Sequence, residues 1–188
     1  MVFLSEICPK LVIELGMGDG RLLESLAKCN SGTVYIGIEL NKEQCAQARS
    51  RITVPNVVIL NSSFEDIIPT FQNESVDEFL IVLPDPTFVD QKKEEQWKPF
   101  YKTLYCKLKK QGHIQLVTEL TDELLQPVSN DRYSTWANWL KSCFISLGFS
   151  LVDHHEGAPR LFSSRCIEQF RGDPERIRMI TLDLVKQP

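Results

Sequence analysis

The stretch Glu14-Leu-Gly-Met-Gly-Asp-Gly20 constrains this chain more than any other. Directly before it, Leu11-Val-Ile-Glu-Leu15 is a short, nearly continuous apolar run, the pattern of a strand buried on both faces. Glycines at 16, 18 and 20 cannot continue such a strand and end it in a turn. A backbone without side chains can pass close to a ligand there. Leu22, Leu23 and Leu26 then fall on one side of a helix over Arg21 to Cys29. Buried strand, glycine turn and helix make the opening unit of a parallel α/β sheet.

The same alternation runs to the end of the chain. Val34–Ile38 reads as a second strand closed by Glu39, and Asn41 caps a helix over Lys42 to Ile52, with Gln44 placed to complete the cap. Val57–Leu60 is a third strand, Phe64–Phe71 a short helical stretch, and Phe79–Leu83 a fourth strand stopped by Pro84-Asp-Pro86. Between Lys93 and Lys110, Trp97, Phe100, Tyr101, Leu104, Tyr105 and Leu108 follow helical spacing, and Gln111-Gly112 supplies a stop. His113–Val117 is a fifth strand and Tyr133–Leu147 a helix that puts Trp136 and Trp139 in the core. Phe149–Asp153 and Ile177–Val185 are two late strands, and residues 156–176 between them carry no obvious helix, so an antiparallel hairpin is expected at the sheet edge. The expected architecture is a Rossmann-like α/β fold: a mostly parallel seven-stranded sheet, helices on both faces, and one domain over residues 1–188.

Composition narrows the classes of function. With 43% hydrophobic and 24% charged residues the chain belongs with soluble globular proteins, and no apolar run approaches the roughly 20 residues of a membrane span. The opening Met1–Lys10 lacks the basic and apolar regions of a signal peptide, which gives a cytoplasmic expectation. Cys8, Cys29, Cys45, Cys106, Cys143 and Cys166 form no CxxC pair, so neither a metal site nor a disulfide set is expected, and most should be reduced residues in or near the core. A net charge of -4 does not advertise a nucleic-acid partner, although a local basic face would suffice for one. A monomer or homodimer is expected.

In open parallel sheets ligands sit beyond the carboxyl ends of the strands, near the point where strand order reverses. Glu14, Gly16, Gly18, Gly20, Glu39, Asp85 and Glu119 all fall at or just past a strand end. The glycine turn, with a carboxylate such as Glu39 able to accept both hydroxyls of a ribose, points to a nucleoside. A pyrophosphate would want the helix N-terminus, where this loop offers Asp19; that charge tolerates a cationic sulfonium better, which tips the balance to S-adenosylmethionine. Two prolines hold Asp85 on a stiff loop. Thr118-Glu119 closes the fifth strand.

These residues resemble the tRNA (guanine-N7)-methyltransferases over nearly the whole chain. The resemblance rests on Glu14–Gly20, Gly37-Ile-Glu39, Leu83-Pro-Asp-Pro86, Gln111-Gly112, Thr118-Glu119 and Arg165-Cys-Ile-Glu168, with Pro-Asp-Pro its most specific part. It implies S-adenosylmethionine held by Glu14, Gly16, Gly18, Gly20, Glu39, Ser62 and Asp85. It also implies Asp85 as catalytic residue, with Glu119, Arg165 and Glu168 on the substrate, a tRNA. The chain departs from the family at Val89, where a substrate-binding Lys is expected, at Ser62 and Glu119 in place of other acids, at Arg165 in place of Thr, and in lacking the basic N-terminal segment. Lys92, Lys93, Lys98, Lys102, Arg160, Arg165 and Arg171 are then the cations left for RNA, and His154-His155 reads as structural. Two readings stay open beside the first: a non-catalytic homologue binding cofactor or a protein partner, and a methyltransferase acting on a small molecule or protein.

Overall fold

The computed structural model describes residues 9–187. Its elements, in chain order, are β1 (Lys10–Leu15), α1 (Arg21–Cys29), β2 (Thr33–Glu39), α2 (Lys42–Arg51), β3 (Val57–Asn61), α3 (Phe64–Ile67), β4 (Val76–Val82), α4 (Glu94–Lys107), β5 (Leu108–Thr121), α5 (Asn130–Ser146), β6 (Phe149–Glu156), α6 (Arg165–Arg171) and β7 (Ile177–Lys186). The strands form one sheet in the order β3-β2-β1-β4-β5-β7-β6. The first five strands pair in parallel, while β7 runs antiparallel to both β5 and β6. The expected edge hairpin is therefore present, with β7 inserted inside β6. Strand order reverses between β1 and β4, and their carboxyl ends form the crest of the molecule.

Side-chain alternation sends successive residues to opposite faces and so builds two cores. On one face Ile13, Phe79, Ile81, Leu116 and Leu182 pack against Trp97, Tyr101 and Leu104 of α4 and Leu140 and Phe144 of α5. Edge-to-face aromatics lock that layer, with Tyr101 4.8 Å from Phe144 and 5.5 Å from Trp97. On the other face Val12, Tyr35, Leu80 and Val117 meet Leu22, Leu23 and Ala27 of α1, Ala48 of α2 and Ile167 of α6. Trp136 is buried and Trp139 half-buried against the first core, as the helical spacing requires. Among the described residues no helix is long and apolar enough to cross a membrane.

Three local expectations are corrected. The helix predicted to Lys110 stops at Lys107, because Leu108 turns to extended backbone and pairs with Val76. Gln111-Gly112 is thus not a helix stop but a kink inside β5, where pairing with β4 shifts from Val76–Leu108 to Glu78–His113. Gln111 takes the left-handed conformation there (φ 63°), and a Cβ on Gly112 would lie 2.8 Å from the Lys109 carbonyl. Second, the segment expected to lack a helix contains α6, capped by the Ser164 hydroxyl accepting from the Ile167 N–H and anchored by buried Ile167. Third, Cys45 and Cys143 are buried but Cys29, Cys106 and Cys166 are exposed, and Cys8 lies outside the described residues. Asn41 caps α2 as expected, accepting from Glu43 and Gln44 N–H. Its own N–H goes to Glu39 rather than to the Gln44 side chain.

Candidate functional site

The crest loop between β1 and α1 is folded tightly against β2. Gly16 and Met17 both donate their N–H to the Ile38 carbonyl, at 2.9 and 3.1 Å, and Gly20 N–H closes on Met17 O at 2.9 Å. Gly16, Gly18 and Gly20 all have positive φ, between 57° and 73°, which explains the residue type at each. Gly18 N–H donates to Glu39 Oε2 at 2.9 Å, and Asn41 N–H to Oε1 at 2.8 Å. The Glu39 carboxylate therefore ties the crest loop to the start of α2. Each of its oxygens keeps a lone pair in reserve for a hydroxyl.

This geometry changes the argument about phosphate. The structure pairs Asp19 with Arg21 (2.9 Å) and Arg51 (3.5 Å), so its charge is largely balanced and is not what repels a phosphate. The N–H groups of residues 16, 17, 18 and 20 are instead spent inside the protein, so those amides do not cradle a pyrophosphate. Ser62 closes β3 beside them; its N–H donates to Glu39 O at 3.1 Å.

Alternation places Glu14 on the α1 side of the sheet, alone among apolar neighbours, and 3% exposed. Its Oε2 is buried and unpartnered. Burial first, then the charges of Asp19 and Glu39, push its carboxyl up to about 8. Glu119 lies on the same side at the end of β5; burial, reinforced by Asp85, pushes it up to about 7. Its Oε2 is buried and unpartnered too, as is the hydroxyl of Thr118 beside it. Among the described residues these three are the buried polar side-chain atoms without a partner, and all sit at the carboxyl ends of β1 and β5. Buried acceptors that the protein leaves unmet are rare and mark a place for a donor from outside.

Asp85 follows Leu83, whose φ of 51° is left-handed, an uncommon and strained choice for a bulky residue. Leu83 N–H donates to Val117 O at 2.8 Å, so β5 holds the strained residue in place. Asp85 Oδ1 accepts from Thr87 N–H (2.9 Å) and Thr87 Oγ1 (2.6 Å), which hold its carboxyl below the usual range. The loop beyond is pinned by Phe88 between Phe64 and Phe100, by buried Val89, and by Trp97 Nε1 donating to Asp90 O.

Arg165 and Glu168 are carried by α6, which packs through Ile167 on the same sheet face as Glu14. Both are exposed, and Glu168 accepts from Ser163 Oγ at 2.6 Å. Four of the cations expected to be available for RNA have partners within the protein, two of them loosely: Lys92 lies 3.9 Å from Glu123 and Lys93 3.9 Å from Asp90. Lys98 pairs with Glu94, and Arg171 donates to the carbonyls of Ala158, Pro159 and Phe162. Sequence reasoning missed Thr87, Arg51 and the strain at Leu83; none had a local signal, since Pro84 favours extended rather than left-handed backbone in the residue before it.

A Rossmann-like sheet with an acid-led glycine loop at its switch point and a carboxylate closing β2 defines the class I S-adenosylmethionine-dependent methyltransferase fold. A family model described as "Putative methyltransferase" matches residues 9–135, and the chain belongs to that family, as a divergent member alongside tRNA (guanine-N7)-methyltransferases. It is 26% identical over 143 residues to a bifunctional methyltransferase of Rickettsia felis, a match covering 70% of this chain and 27% of that protein. It is also 26% identical over 141 residues to the tRNA (guanine-N(7)-)-methyltransferase of Campylobacter fetus, covering 73% and 32%. The chain thus spans less than a third of the length of either relative. Its fold is similar to the 16S rRNA methyltransferase KamB, with TM-score 0.72 and 14% identity over 95% of this chain and 88% of that one.

Proposed function

We propose that the chain uses S-adenosylmethionine to methylate the N7 ring nitrogen of guanine in tRNA. The observation that carries this reading is the set of unmet buried acceptors, Glu14 Oε2 and Glu119 Oε2, flanking Asp85 at the crest. The cofactor's own contribution, when bound, is an electrophilic methyl group on a cationic sulfonium. Glu14 suits its ammonium group, because a cation brought against that carboxyl supplies the missing donor and favours the ionised form. Glu39 suits the ribose hydroxyls, Ser62 the adenine side, and Gly16, which has open space where a Cβ would stand, lets the ligand approach the backbone.

Guanine N7 has a free lone pair at neutral pH, so no base has to remove a proton first. Methyl transfer from the sulfonium to N7 would break the S–C bond as the N–C bond forms and would leave positive charge on the purine. Asp85, held ionised by Thr87 on a stiff loop, is placed to stabilise that charge without reorganising. Glu119 and Glu168 would accept from the amino edge of the base. A guanine inside folded RNA must first be exposed to reach them.

One observation favours a second reading, an acceptor that is not RNA. Val89 is buried, and the resemblance implies a substrate-binding lysine at that position. Transfer of labelled methyl to unmodified tRNA decides between them. Label recovered as 7-methylguanosine supports the first reading. Cofactor binding without transfer to RNA overturns it and leaves the second.

A further inference from the structure

The outer flank of the sheet carries an open cavity. Between α5 and β6 it measures about 330 Å3, and its lining includes Tyr133, Ser134, Asn138, Lys141, His154 and Glu156. Ser134, Asn138 and Lys141 stand four and then three residues apart on α5, so one helical face offers a hydroxyl, an amide and an ammonium. The acid among the lining residues is already neutralised: Glu156 Oε1 receives Arg178 Nε at 2.8 Å and Nη2 at 2.6 Å. Lys141 is half-buried and, among the described residues, has no carboxylate within 4.0 Å. Its ammonium donates instead to His154 Nε2 at 3.2 Å. An imidazole that accepts from an ammonium leaves the positive charge uncompensated. A partly desolvated cation of that kind is costly unless an anion joins it.

We infer that this cavity binds a phosphate group, with Lys141 Nζ as its charge partner and Ser134 Oγ, Asn138 Nδ2 and the His154 ring as neutral hydrogen-bonding partners. Of the nearest acids, Asp153 is not among the lining residues and Glu156 is paired. Asp153 caps the His154 backbone N–H at 2.8 Å, and Arg178 offsets Glu156. His154 and Glu156 lie at the carboxyl end of β6, level with the crest. One strand, β7, separates β6 from β5, a lateral distance of about 10 Å. An RNA strand whose base enters the crest would carry a neighbouring phosphodiester across this flank. The phosphate chemistry stands on the cavity alone; its assignment to RNA rests on the tRNA reading.

The test follows the His154 imidazole resonances of the whole chain by NMR during titration with inorganic phosphate, then measures tRNA affinity against salt. Wild-type protein is compared with Lys141→Gln, at a half-buried position, and Ser134→Ala, at an exposed one, with S-adenosylmethionine affinity as the control for folding. Phosphate should shift the His154 signals in the wild type, and at least fivefold more weakly in Lys141→Gln. That variant should also lose roughly one unit of salt slope for tRNA at unchanged cofactor affinity. A phosphate-dependent shift without any change in tRNA binding upholds the anion site, assigns it to a free phosphate compound, and counts against the RNA reading only. No shift of His154 with phosphate overturns the inference, whatever tRNA does.

Discussion

Gly18 and Glu39 are joined by a backbone-to-carboxylate hydrogen bond of 2.9 Å that crosses 21 residues of chain. Through it the end of β2 sets the shape of the crest loop, so the residue proposed to hold a ribose also holds the loop over which that ribose would lie. Glu39→Gln keeps the size of the side chain but turns an NH2 group toward one of two N–H donors. Cofactor affinity measured by calorimetry should fall about tenfold, the equivalent of one hydrogen bond of about 1.4 kcal/mol. An unchanged affinity would remove Glu39 from the cofactor site.

Glu14 makes stability depend on pH. Its folded carboxyl, at about 8, lies above its ordinary value of 4.5, so between those limits the folded chain holds a proton that the unfolded chain does not. The contribution of Glu14 to stability is therefore full at low pH and lost as pH rises toward 8, on the order of 1 kcal/mol per pH unit. Melting temperature without ligand should decline from about pH 5 to about pH 8, and Glu14→Gln should flatten the decline. An equally steep decline in the variant would show that the proton is held elsewhere.

For Asp85→Asn, Oδ1 still accepts from Thr87, so the turn survives while the charge is gone. Turnover should drop by about 100- to 1,000-fold, as for loss of a preorganised electrostatic group, with cofactor affinity within a factor of about two. Thr87→Val removes a donor that lowers the Asp85 carboxyl, so the acid limb of the rate profile should move to higher pH. If both variants turn over like the wild type, Asp85 is only a turn residue.

Arg171 was a candidate RNA contact, yet its guanidinium is committed to three carbonyls of the 158–162 loop. Arg171→Gln should cost about 0.5–1.5 kcal/mol of stability, since the loop loses one part-buried and two exposed hydrogen bonds. The salt slope for tRNA should stay the same. Denaturant titration and binding at graded salt read the two effects separately.

The sequence made the sheet and its crest readable because both depend on local signals. Apolar runs mark β1, β2 and β4, and glycines or prolines mark where each stops, so Glu14, Glu39 and Asp85 could be placed at strand ends before any coordinates. What failed depends on pairing between distant residues. Leu108 has helical spacing with Trp97 and Leu104, but β4 claims it across 32 residues. Asp19 reads as a free charge until Arg51, on a different helix, folds back onto it. The seven residues of α6 are too short for periodicity to declare, and what holds them is tertiary contact at Ile167. The strand-end positions were thus readable, but not the hydrogen bonds around them.

Because the amides of residues 16, 17, 18 and 20 all donate within the protein, the crest loop has no conformational search left to make when a ligand arrives. Ordering entropy, often a large part of what glycine-rich loops give up on binding, has already been spent in folding. Amide hydrogen exchange at these positions should be slow in the free protein and little changed on saturation. The loop then behaves as a fixed rail, and selectivity passes to the buried polar atoms of Glu14, Thr118 and Glu119, which among the described residues are the ones that wait for a partner.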